Sequence, residues 1–175
     1  MIANHPAQAP NRATRKLFYA LWPDDATRAA LAALQAGVQG RPTPRAKLHI
    51  TLAFLGQQPA EAVPALLDIL AALTLPALRL EIDCYGYFAR PRIAWAGMRH
   101  IPAPLPALQA DLVRRLEAAG FSAASHGTFK PHVTLAREAP EIPQATATFA
   151  PVVWQVERAV LVESLPGGEY VVVER

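Results

Sequence analysis

A five-residue pattern that occurs twice constrains this chain more than any other feature. The segment KLHITLAFLG spans residues 47–56, and the segment FKPHVTLAR spans residues 129–137. Both contain histidine, a β-branched residue, threonine, leucine and alanine in that order, beginning at His49 and at His132. Apolar, β-branched segments of this length are typical of β-strands, so the sequence predicts that each copy forms a strand.

Side chains on a strand alternate between its two faces, so each predicted strand has one polar and one apolar face. The polar faces carry His49, Thr51 and Ala53 in the first copy, and His132, Thr134 and Ala136 in the second. The apolar faces, predicted to be buried, carry Leu48, Ile50, Leu52 and Phe54, and then Val133 and Leu135. Residues i and i+2 stand roughly 6.6 Å apart, a gap that suits a small tetrahedral group. The small alanines are expected to leave room for it.

A histidine beside a threonine on a single strand is ordinary polar surface. Packing alone requires apolar residues on the buried face and is indifferent to the polar residues opposite. In this chain the polar face is the one that is repeated. The repetition therefore favours two matched halves of one functional site over two unrelated solvated surfaces.

The composition suits one domain with a substantial core, because 52% of the 175 residues are hydrophobic and 18% are charged. Residues 1–14 lack the apolar stretch of a signal peptide and are predicted to form a flexible tail before a single two-lobed domain at 15–175. The single cysteine, Cys84, excludes an intramolecular disulfide and favours a cytoplasmic location. No apolar run reaches the roughly 20 residues that span a bilayer, so no membrane partner is expected.

The order of the apolar patterns predicts the fold class. They follow one another as strand, helix, strand, helix, hairpin, helix, strand and hairpin, and each H-x-T strand comes after a helix. This order predicts an α+β protein with two similar lobes, in which antiparallel sheets have flanking helices. A pseudo-twofold relation between the lobes would bring the two motif strands together in a central cleft.

The two motifs in their contexts resemble the signatures of the 2H phosphoesterase superfamily. Within it they are most similar to the RNA 2′,3′-cyclic phosphodiesterases, historically called 2′-5′ RNA ligases. The resemblance covers residues 15–175 and rests on five segments: KLFYALWPDDATRAAL, KLHITLAFLG, IAWAG, FKPHVTLAR and LVESLPGGEY. It implies the cleft-centred fold and a hydrolase that converts RNA 2′,3′-cyclic phosphate ends to 2′-phosphomonoesters without a metal or cofactor. It also implies 2′-5′ RNA ligation as a second activity, and a monomer is expected.

Histidine suits this chemistry because an unperturbed pKa of about 6.5 lets an imidazole accept or donate a proton near pH 7. One imidazole can deprotonate the attacking water while the other protonates the departing ribose oxygen. The sequence leaves these roles interchangeable, whereas the resemblance implies His49 as proton donor and His132 as proton acceptor. Thr51 and Thr134 are predicted to donate hydrogen bonds to the phosphate. Arg137 is a candidate phosphate ligand, although alternation directs it away from the histidine face unless the strand bends.

Three alternatives remain open. A phosphodiesterase of this kind could act on another small cyclic nucleotide or on ADP-ribose cyclic phosphate. Two histidines could ligate zinc, but catalytic zinc usually has three protein ligands, and the sequence has no H-E-x-x-H or C-x-x-C cluster. A non-catalytic RNA-binding module is the alternative from another class, although its exposed strands would interleave basic and aromatic residues.

Several residues near the motifs have two interpretations. Arg45 and Lys47, in a basic loop before the first motif, are either solvated charges or substrate contacts. Trp95 is predicted to lie in the core rather than to stack on a base, and His126 to be an exposed loop residue. The net charge of +3 permits a polyanionic partner such as RNA, but the basic residues are scattered along the sequence.

Overall fold

The computed structural model describes residues 13–123, 127–141 and 149–175. Within these ranges the chain forms ten β-strands and three α-helices. The strands are β1 (Thr14–Leu21), β2 (Arg41–Pro42), β3 (Ile50–Pro59), β4 (Leu78–Ile82), β5 (Cys84–Phe88), β6 (Ile93–Gly97), β7 (Val133–Arg137), β8 (Val152–Val156), β9 (Ala159–Ser164) and β10 (Tyr170–Val173). The helices are α1 (Asp25–Ala33), α2 (Val63–Ala71) and α3 (Pro104–Ala118).

The N-terminal end of the described chain is part of the sheet. β1 begins at Thr14, within the segment that the sequence predicts as a tail. The carbonyl oxygen of Ala13 accepts a hydrogen bond from the amide of Ala60, which attaches this end to the fold. Residues 1–12 and His126 lie outside the described residues. In the described part of the chain, no helix is long and apolar enough to cross a lipid bilayer.

Two similar halves share one antiparallel sheet, with the strand order β10-β9-β1-β3-β7-β6-β5. In the first half α1 lies between β1 and β3 along the chain, and the two strands pair directly. In the second half α3 lies between β6 and β7 in the same way, and these strands also pair. The short strand β2 pairs with β7, whereas β4 and β8 form a separate two-stranded sheet. The prediction of an α+β fold with two similar antiparallel lobes is confirmed.

The two halves meet where β3 and β7 lie side by side. Between these two strands the described pairing consists of Ile50 opposite Val133, which we call the junction pair. Both side chains are fully buried in the main core. Each is the β-branched residue of its motif, so the repeat in the sequence coincides with the contact between the halves. His49 and His132 immediately precede β3 and β7, and do not lie within the strands as predicted.

The main hydrophobic core lies between the sheet and the helices. Alternate residues of β1 enter it, and they pack with Leu31 of α1, Leu66 of α2 and Leu112 of α3, all of which are fully buried. The intervening residues of β1 include Phe18, which belongs to a second small cluster on the opposite face of the sheet. Residues 17–21 of β1 are therefore buried on both faces of the sheet, and they support the adjacent motif strand β3.

Irregular pairing in β3 reverses the predicted orientation of Phe54. Leu17 of β1 pairs with Gly56 and the next residue, Phe18, pairs with Phe54, so Leu55 has no partner on β1. Such an extra residue, a β-bulge, changes which side chains face each side of the strand. Leu55 is buried, whereas Phe54 is 38% exposed. The prediction that Phe54 lies on the buried face is therefore wrong.

The motif alanines also lie elsewhere than predicted. A second bulge in β3 leaves Leu52 without a partner on β1, and a bulge in β7 leaves Leu135 without a partner on β6. Ala53 packs in the main core, and Ala136 packs in a small cluster of buried alanines. Both side chains are almost fully buried, so the expectation that they leave room beside the histidines is wrong.

We expect Ile50→Ala to lower the free energy of unfolding by about 2–5 kcal/mol, because it leaves a cavity at a fully buried position. Urea denaturation followed by tryptophan fluorescence measures this loss. Val153→Ala is the matched control, since Val153 is an aliphatic residue that is 45% exposed. It should change the free energy of unfolding by no more than about 0.5 kcal/mol. Equal losses in the two variants would contradict the role of the junction pair.

Candidate active site

The junction pair brings the four polar motif side chains together. Because β3 and β7 run antiparallel through it, continuing the pairing by one residue sets His49 opposite Thr134 and Thr51 opposite His132. These positions alternate with the buried junction pair, so their side chains emerge on the other face of the sheet. Directly opposed Cβ atoms are about 4.5–5.5 Å apart, and diagonal neighbours such as the two histidines are about 7–8 Å apart. Spacings of this size suit one small tetrahedral anion.

All four side chains line one cavity of about 330 Å³. Arg137 lines it as well, although simple alternation from Thr134 directs Arg137 to the other face. The bulge at Leu135 turns the strand and returns Arg137 to the side of Thr134. The bend on which the Arg137 prediction depended is therefore present.

A backbone hydrogen bond fixes the orientation of each motif imidazole. Nδ1 of His49 lies 2.6 Å from the carbonyl oxygen of Lys47, and Nδ1 of His132 lies 2.7 Å from that of Lys130. Because a carbonyl oxygen only accepts, both Nδ1 atoms carry a proton, and Nε2 is the atom that can act on a ligand. Nε2 of His49 accepts a hydrogen bond from the Thr51 hydroxyl at 2.9 Å. Each copy of the repeat thus begins two residues earlier, at Lys47 and at Lys130, with the pattern K-x-H. Sequence reasoning missed this signal.

Aromatic rings pack closely around His49. Its imidazole centroid lies 5.0 Å from the ring of Phe18, 5.9 Å from that of Trp22 and 5.7 Å from that of Tyr170. The rings come from β1, the residue that follows β1, and β10. They limit the movement of the imidazole and remove much of its contact with water. Sequence reasoning did not identify them, because they are distant from the motif along the chain.

The second histidine has its own aromatic support. The His132 ring lies 4.9 Å from Phe88 and 5.9 Å from Trp95, measured between centroids. Trp95 is only 8% exposed, which confirms its predicted burial, and it nevertheless borders the site. A Cβ at Gly86 would approach the Trp95 ring to 2.0 Å, so the indole can occupy this place only beside a glycine.

Burial lowers the pKa of both motif histidines, because the charged imidazolium loses its water shell. The pKa of His49 falls to about 4, since the carbonyl of Lys47 opposes the shift only in part and the charges of His132 and Arg137 add to it. The pKa of His132 is lowered mainly by burial, and Lys130 and Arg137 contribute to the decrease. Both rings are therefore largely neutral at pH 7 without ligand. An anion in the cavity favours protonation.

Basic residues that are scattered along the sequence converge on the cavity. Lys16, Arg41 and Lys47 line it together with Arg137, and none of the described residues that line it is an aspartate or a glutamate. These cations and the two threonine hydroxyls are hydrogen-bond donors, which suit an oxyanion. The cavity is therefore a candidate site for a phosphate group.

The two basic residues before the first motif have different surroundings. The Lys47 ammonium lines the cavity and lies 5.0 Å from the ring centroid of Tyr170. Arg45 instead donates a hydrogen bond to the backbone carbonyl of Asp25 in α1. Lys47 is thus placed to contact a ligand, whereas Arg45 connects the loop to α1.

The clusters typical of a metal site do not occur in the ranges that the structure describes. There, no group of three histidine, cysteine, aspartate or glutamate side chains is close enough to hold a metal ion. The half-buried Cys84 lies outside the cavity lining, and burial raises the pKa of its thiol. The polar side chains that line the cavity with the motif histidines are hydroxyls and cations, which do not supply the third ligand of a catalytic zinc site.

Comparison with known proteins assigns a class and a family. The crystal structure of Escherichia coli LigT complexed with 3′-AMP matches with a TM-score of 0.78 and 29% sequence identity, over 93% of this chain and 97% of that chain. With the paired motifs, this match defines the fold as that of a 2H phosphoesterase, as predicted. The chain belongs to the 2′-5′ RNA ligase superfamily, whose family model matches residues 23–168.

Two relatives align with this chain, one over just over half of its length and the other over most of it. The RNA 2′,3′-cyclic phosphodiesterase of Escherichia coli (strain K12) is 39% identical over 102 residues, which are 58% of this chain and 57% of that protein. The chain thus aligns with just over half the length of this relative. The RNA 2′,3′-cyclic phosphodiesterase of Thermus thermophilus is 34% identical over 164 residues, which are 85% of this chain and 81% of that protein. The family resemblance found in the sequence is confirmed.

We expect NMR titration of the free protein to give His49 a pKa of about 4, because burial opposes the charged imidazolium. Inorganic phosphate should raise this pKa, since a bound anion stabilises the imidazolium. Nitrogen-edited spectra of the histidine side chains measure both effects, and the spectrum of His49→Asn assigns the resonance. Titration of His49 at about 6.5 or above in the free protein would contradict the assigned environment.

Proposed function

We propose that this protein hydrolyses the 2′,3′-cyclic phosphate ends of RNA to 2′-phosphomonoesters. The observation that carries the proposal is the convergence of two histidine–threonine pairs, one from each half, on a single basic cavity. A cyclic phosphodiester is a small anion, and its ring strain leaves the protein to supply mainly positioning and proton transfer. The two relatives named RNA 2′,3′-cyclic phosphodiesterase support the assignment.

The phosphate is bound between the two motif strands. The hydroxyls of Thr51 and Thr134 donate hydrogen bonds to the non-bridging oxygens, and such bonds to a charged group contribute roughly 1.5–3 kcal/mol each. The Arg137 guanidinium balances the phosphate charge and offers parallel donors. Continuing the pairing of Ile50 with Val133 sets each histidine opposite the threonine of the other half, so we expect each side of the phosphate to have one hydroxyl and one imidazole.

The two imidazoles move protons on opposite sides of the phosphorus. Nε2 of His132 accepts a proton from the attacking water, whose oxygen forms the new bond to phosphorus. Nε2 of His49 donates its proton to O3′ as the bond between phosphorus and O3′ breaks, and the phosphate stays on O2′. Each proton transfer contributes a rate factor of about 10²–10⁴. This division of roles follows the family resemblance, and the geometry is compatible with it.

The low pKa of His49 fits the role of a proton donor. Because the pKa of His49 is about 4, its ring is neutral in the free protein at pH 7, and its Nε2 accepts a hydrogen bond from Thr51. Binding of the phosphate anion stabilises the imidazolium, so substrate binding is coupled to uptake of a proton. The Thr51 hydroxyl is then free to donate to the phosphate. An imidazolium destabilised by burial readily transfers its proton to a departing alkoxide.

Phe54 provides a surface for the nucleobase. Its exposed ring lines the cavity, and the ammonium of Lys16 lies 5.8 Å from its centroid. Stacking of a base on such a ring contributes about 1–3 kcal/mol and tolerates any base. The complex of Escherichia coli LigT with 3′-AMP supports a nucleotide as the ligand of this site.

The same arrangement supports 2′-5′ RNA ligation as a second activity. In that reaction a 5′-hydroxyl replaces the attacking water, and His132 accepts its proton. A free cyclic nucleotide or ADP-ribose cyclic phosphate presents the same reacting group and is the alternative substrate. A non-catalytic RNA-binding module would bind the oligonucleotide and leave its cyclic phosphate intact.

We also propose that the protein acts as a monomer in the cytoplasm. One chain supplies both histidine–threonine pairs, so the site is complete without a second copy. The single cysteine leaves no intramolecular disulfide that would need an oxidising compartment.

We expect His49→Ala and His132→Ala each to lower kcat on a cyclic-phosphate oligonucleotide by about 10²–10⁴-fold, because each removes one proton-transfer group. Thr51→Ala and Thr134→Ala should cost about 10–150-fold, the equivalent of one charge-assisted hydrogen bond. The double histidine variant should lose much less than the product of the single losses, since the acid and the base act on one transition state.

The pH dependence provides a second readout of the same variants. The kcat/KM profile of the unaltered protein should be bell-shaped, and each single histidine variant should lose one limb. His100→Ala is the matched control, because His100 is exposed and lies outside the cavity. Circular dichroism checks that the variants fold. Near-full activity of either motif-histidine variant, or losses that follow unfolding, would reject the two-histidine mechanism.

Hydrolysis should proceed without a divalent metal, because side chains already supply the acid, the base and the phosphate ligands. We expect the rate on a cyclic-phosphate oligonucleotide to be unchanged after dialysis against EDTA. Metal content measured by mass spectrometry is the control for complete removal. Loss of activity on chelation, with recovery on addition of zinc or another divalent ion, would favour metal catalysis instead.

A further inference from the structure

A second guanidinium group stands beside Arg137 at the cavity. β2 pairs with β7 so that Arg41 lies opposite Arg137, and both residues line the cavity. The Cα atoms of residues paired in this way are about 4.5–5.5 Å apart. Because both side chains line the cavity, their guanidinium groups start from neighbouring backbone positions and can contact two successive phosphates of one nucleic-acid strand.

Arg41 is paired with an internal anion in the ligand-free protein. Its Nη2 and Nε atoms lie 3.1 Å and 3.3 Å from the same oxygen, Oε1 of Glu138. Both side chains are 61% exposed, and an ion pair so open to water is weak. Both donors also converge on one oxygen, whereas a phosphate offers two oxygens in the parallel arrangement that a guanidinium prefers. The ion pair with Glu138 is therefore weak enough for Arg41 to exchange it for a phosphate.

The backbone holds Glu138 beside Arg41 in an unfavourable conformation. Glu138 has a φ of 56°, in the left-handed region that L-residues rarely adopt. The next residue, Ala139, is fully buried, which fixes the chain on that side. Gly40, which immediately precedes β2, has a φ of 107°, and a Cβ there would lie 2.6 Å from the carbonyl oxygen of Arg137. The fold thus brings the two charged residues together through two constrained segments.

The surroundings favour single-stranded RNA as the ligand. The cavity combines basic residues with the exposed ring of Phe54, and charge beside a stacking surface is how proteins bind single strands. In the proposed function Phe54 stacks on the terminal base and Arg137 binds the reacting phosphate. A cation beside Arg137 can then contact the next phosphate towards the 5′ end, and Arg41 is the cation paired with Arg137.

We propose that Arg41 binds the phosphodiester on the 5′ side of the terminal nucleotide, and that Glu138 competes with this phosphate for Arg41. The inference rests on the proposed function and extends it to the length of the substrate. A cyclic mononucleotide lacks the second phosphate and leaves the ion pair intact. An oligonucleotide exchanges Glu138 for phosphate and gains affinity. The site therefore selects RNA ends over free cyclic nucleotides.

The test compares two substrates that have the same reacting group: a 2′,3′-cyclic mononucleotide, and a 5′-hydroxyl pentanucleotide that ends in the same cyclic nucleotide. Arg41→Gln should raise KM for the pentanucleotide about 3- to 10-fold more than KM for the mononucleotide. It should also reduce the slope of log KM against log salt for the pentanucleotide by about 0.7, the contribution of one phosphate contact in a single strand.

The competing role of Glu138 is tested by its neutral variant. Glu138→Gln should lower KM for the pentanucleotide about 2- to 5-fold more than KM for the mononucleotide, because it removes the competing charge. In the double variant with Arg41→Gln this gain should vanish, since Glu138 acts through Arg41. A gain that persists in the double variant would show that Glu138 repels the strand directly and does not compete for Arg41.

Arg114→Gln is the matched control, because Arg114 is exposed on α3, is paired with Asp111 and carries the same charge. It should alter neither KM. Equal changes for both substrates in Arg41→Gln, or an unchanged salt dependence, would overturn the second phosphate site while leaving the hydrolytic function intact. Failure of the unaltered protein to hydrolyse either substrate would overturn the proposed function itself.

Discussion

The whole site depends on the junction pair, where two similar halves of the sheet meet through Ile50 and Val133. Burial of these two side chains turns their neighbours to the opposite face, and antiparallel pairing sets the histidine of one half opposite the threonine of the other. A slip of one residue in this register would turn every motif side chain to the wrong face. A hydrophobic contact therefore determines the geometry of the polar groups that we propose carry out the reaction.

The environment that orients the imidazoles also sets their charge. Backbone carbonyls at Lys47 and Lys130 hold the two Nδ1 protons, and aromatic rings remove water from around the imidazoles. Both effects prepare Nε2 for a ligand, and burial lowers the pKa of each ring. The cations that attract a phosphate also disfavour protonation of the empty site. Binding of an anion and protonation of His49 are consequently linked, so in the mechanism that we propose the proton donor forms when the substrate arrives.

The polar residues of the site could be predicted from the sequence because strand alternation depends only on local spacing. The repeat identified both histidines and both threonines, and the structure places all four in one cavity. The orientations of Phe54 and Arg137 could not be predicted in this way, since they depend on bulges that arise from pairing with neighbouring strands. Lys16 and Arg41 were also missed, because they become neighbours of the site only when β1 and β2 pair beside the motif strands.

The central claim is that one phosphate lies between a fixed proton donor and a fixed proton acceptor. Hydrolysis of an oligonucleotide with a 2′,3′-cyclic phosphate end in isotopically labelled water, followed by phosphorus NMR of the product, tests this claim most directly. A single product is predicted, the 2′-phosphomonoester with one labelled oxygen on phosphorus, because His49 protonates only O3′. A mixture of 2′- and 3′-phosphates, or the 3′-phosphate alone, would contradict the fixed arrangement of His49 and His132.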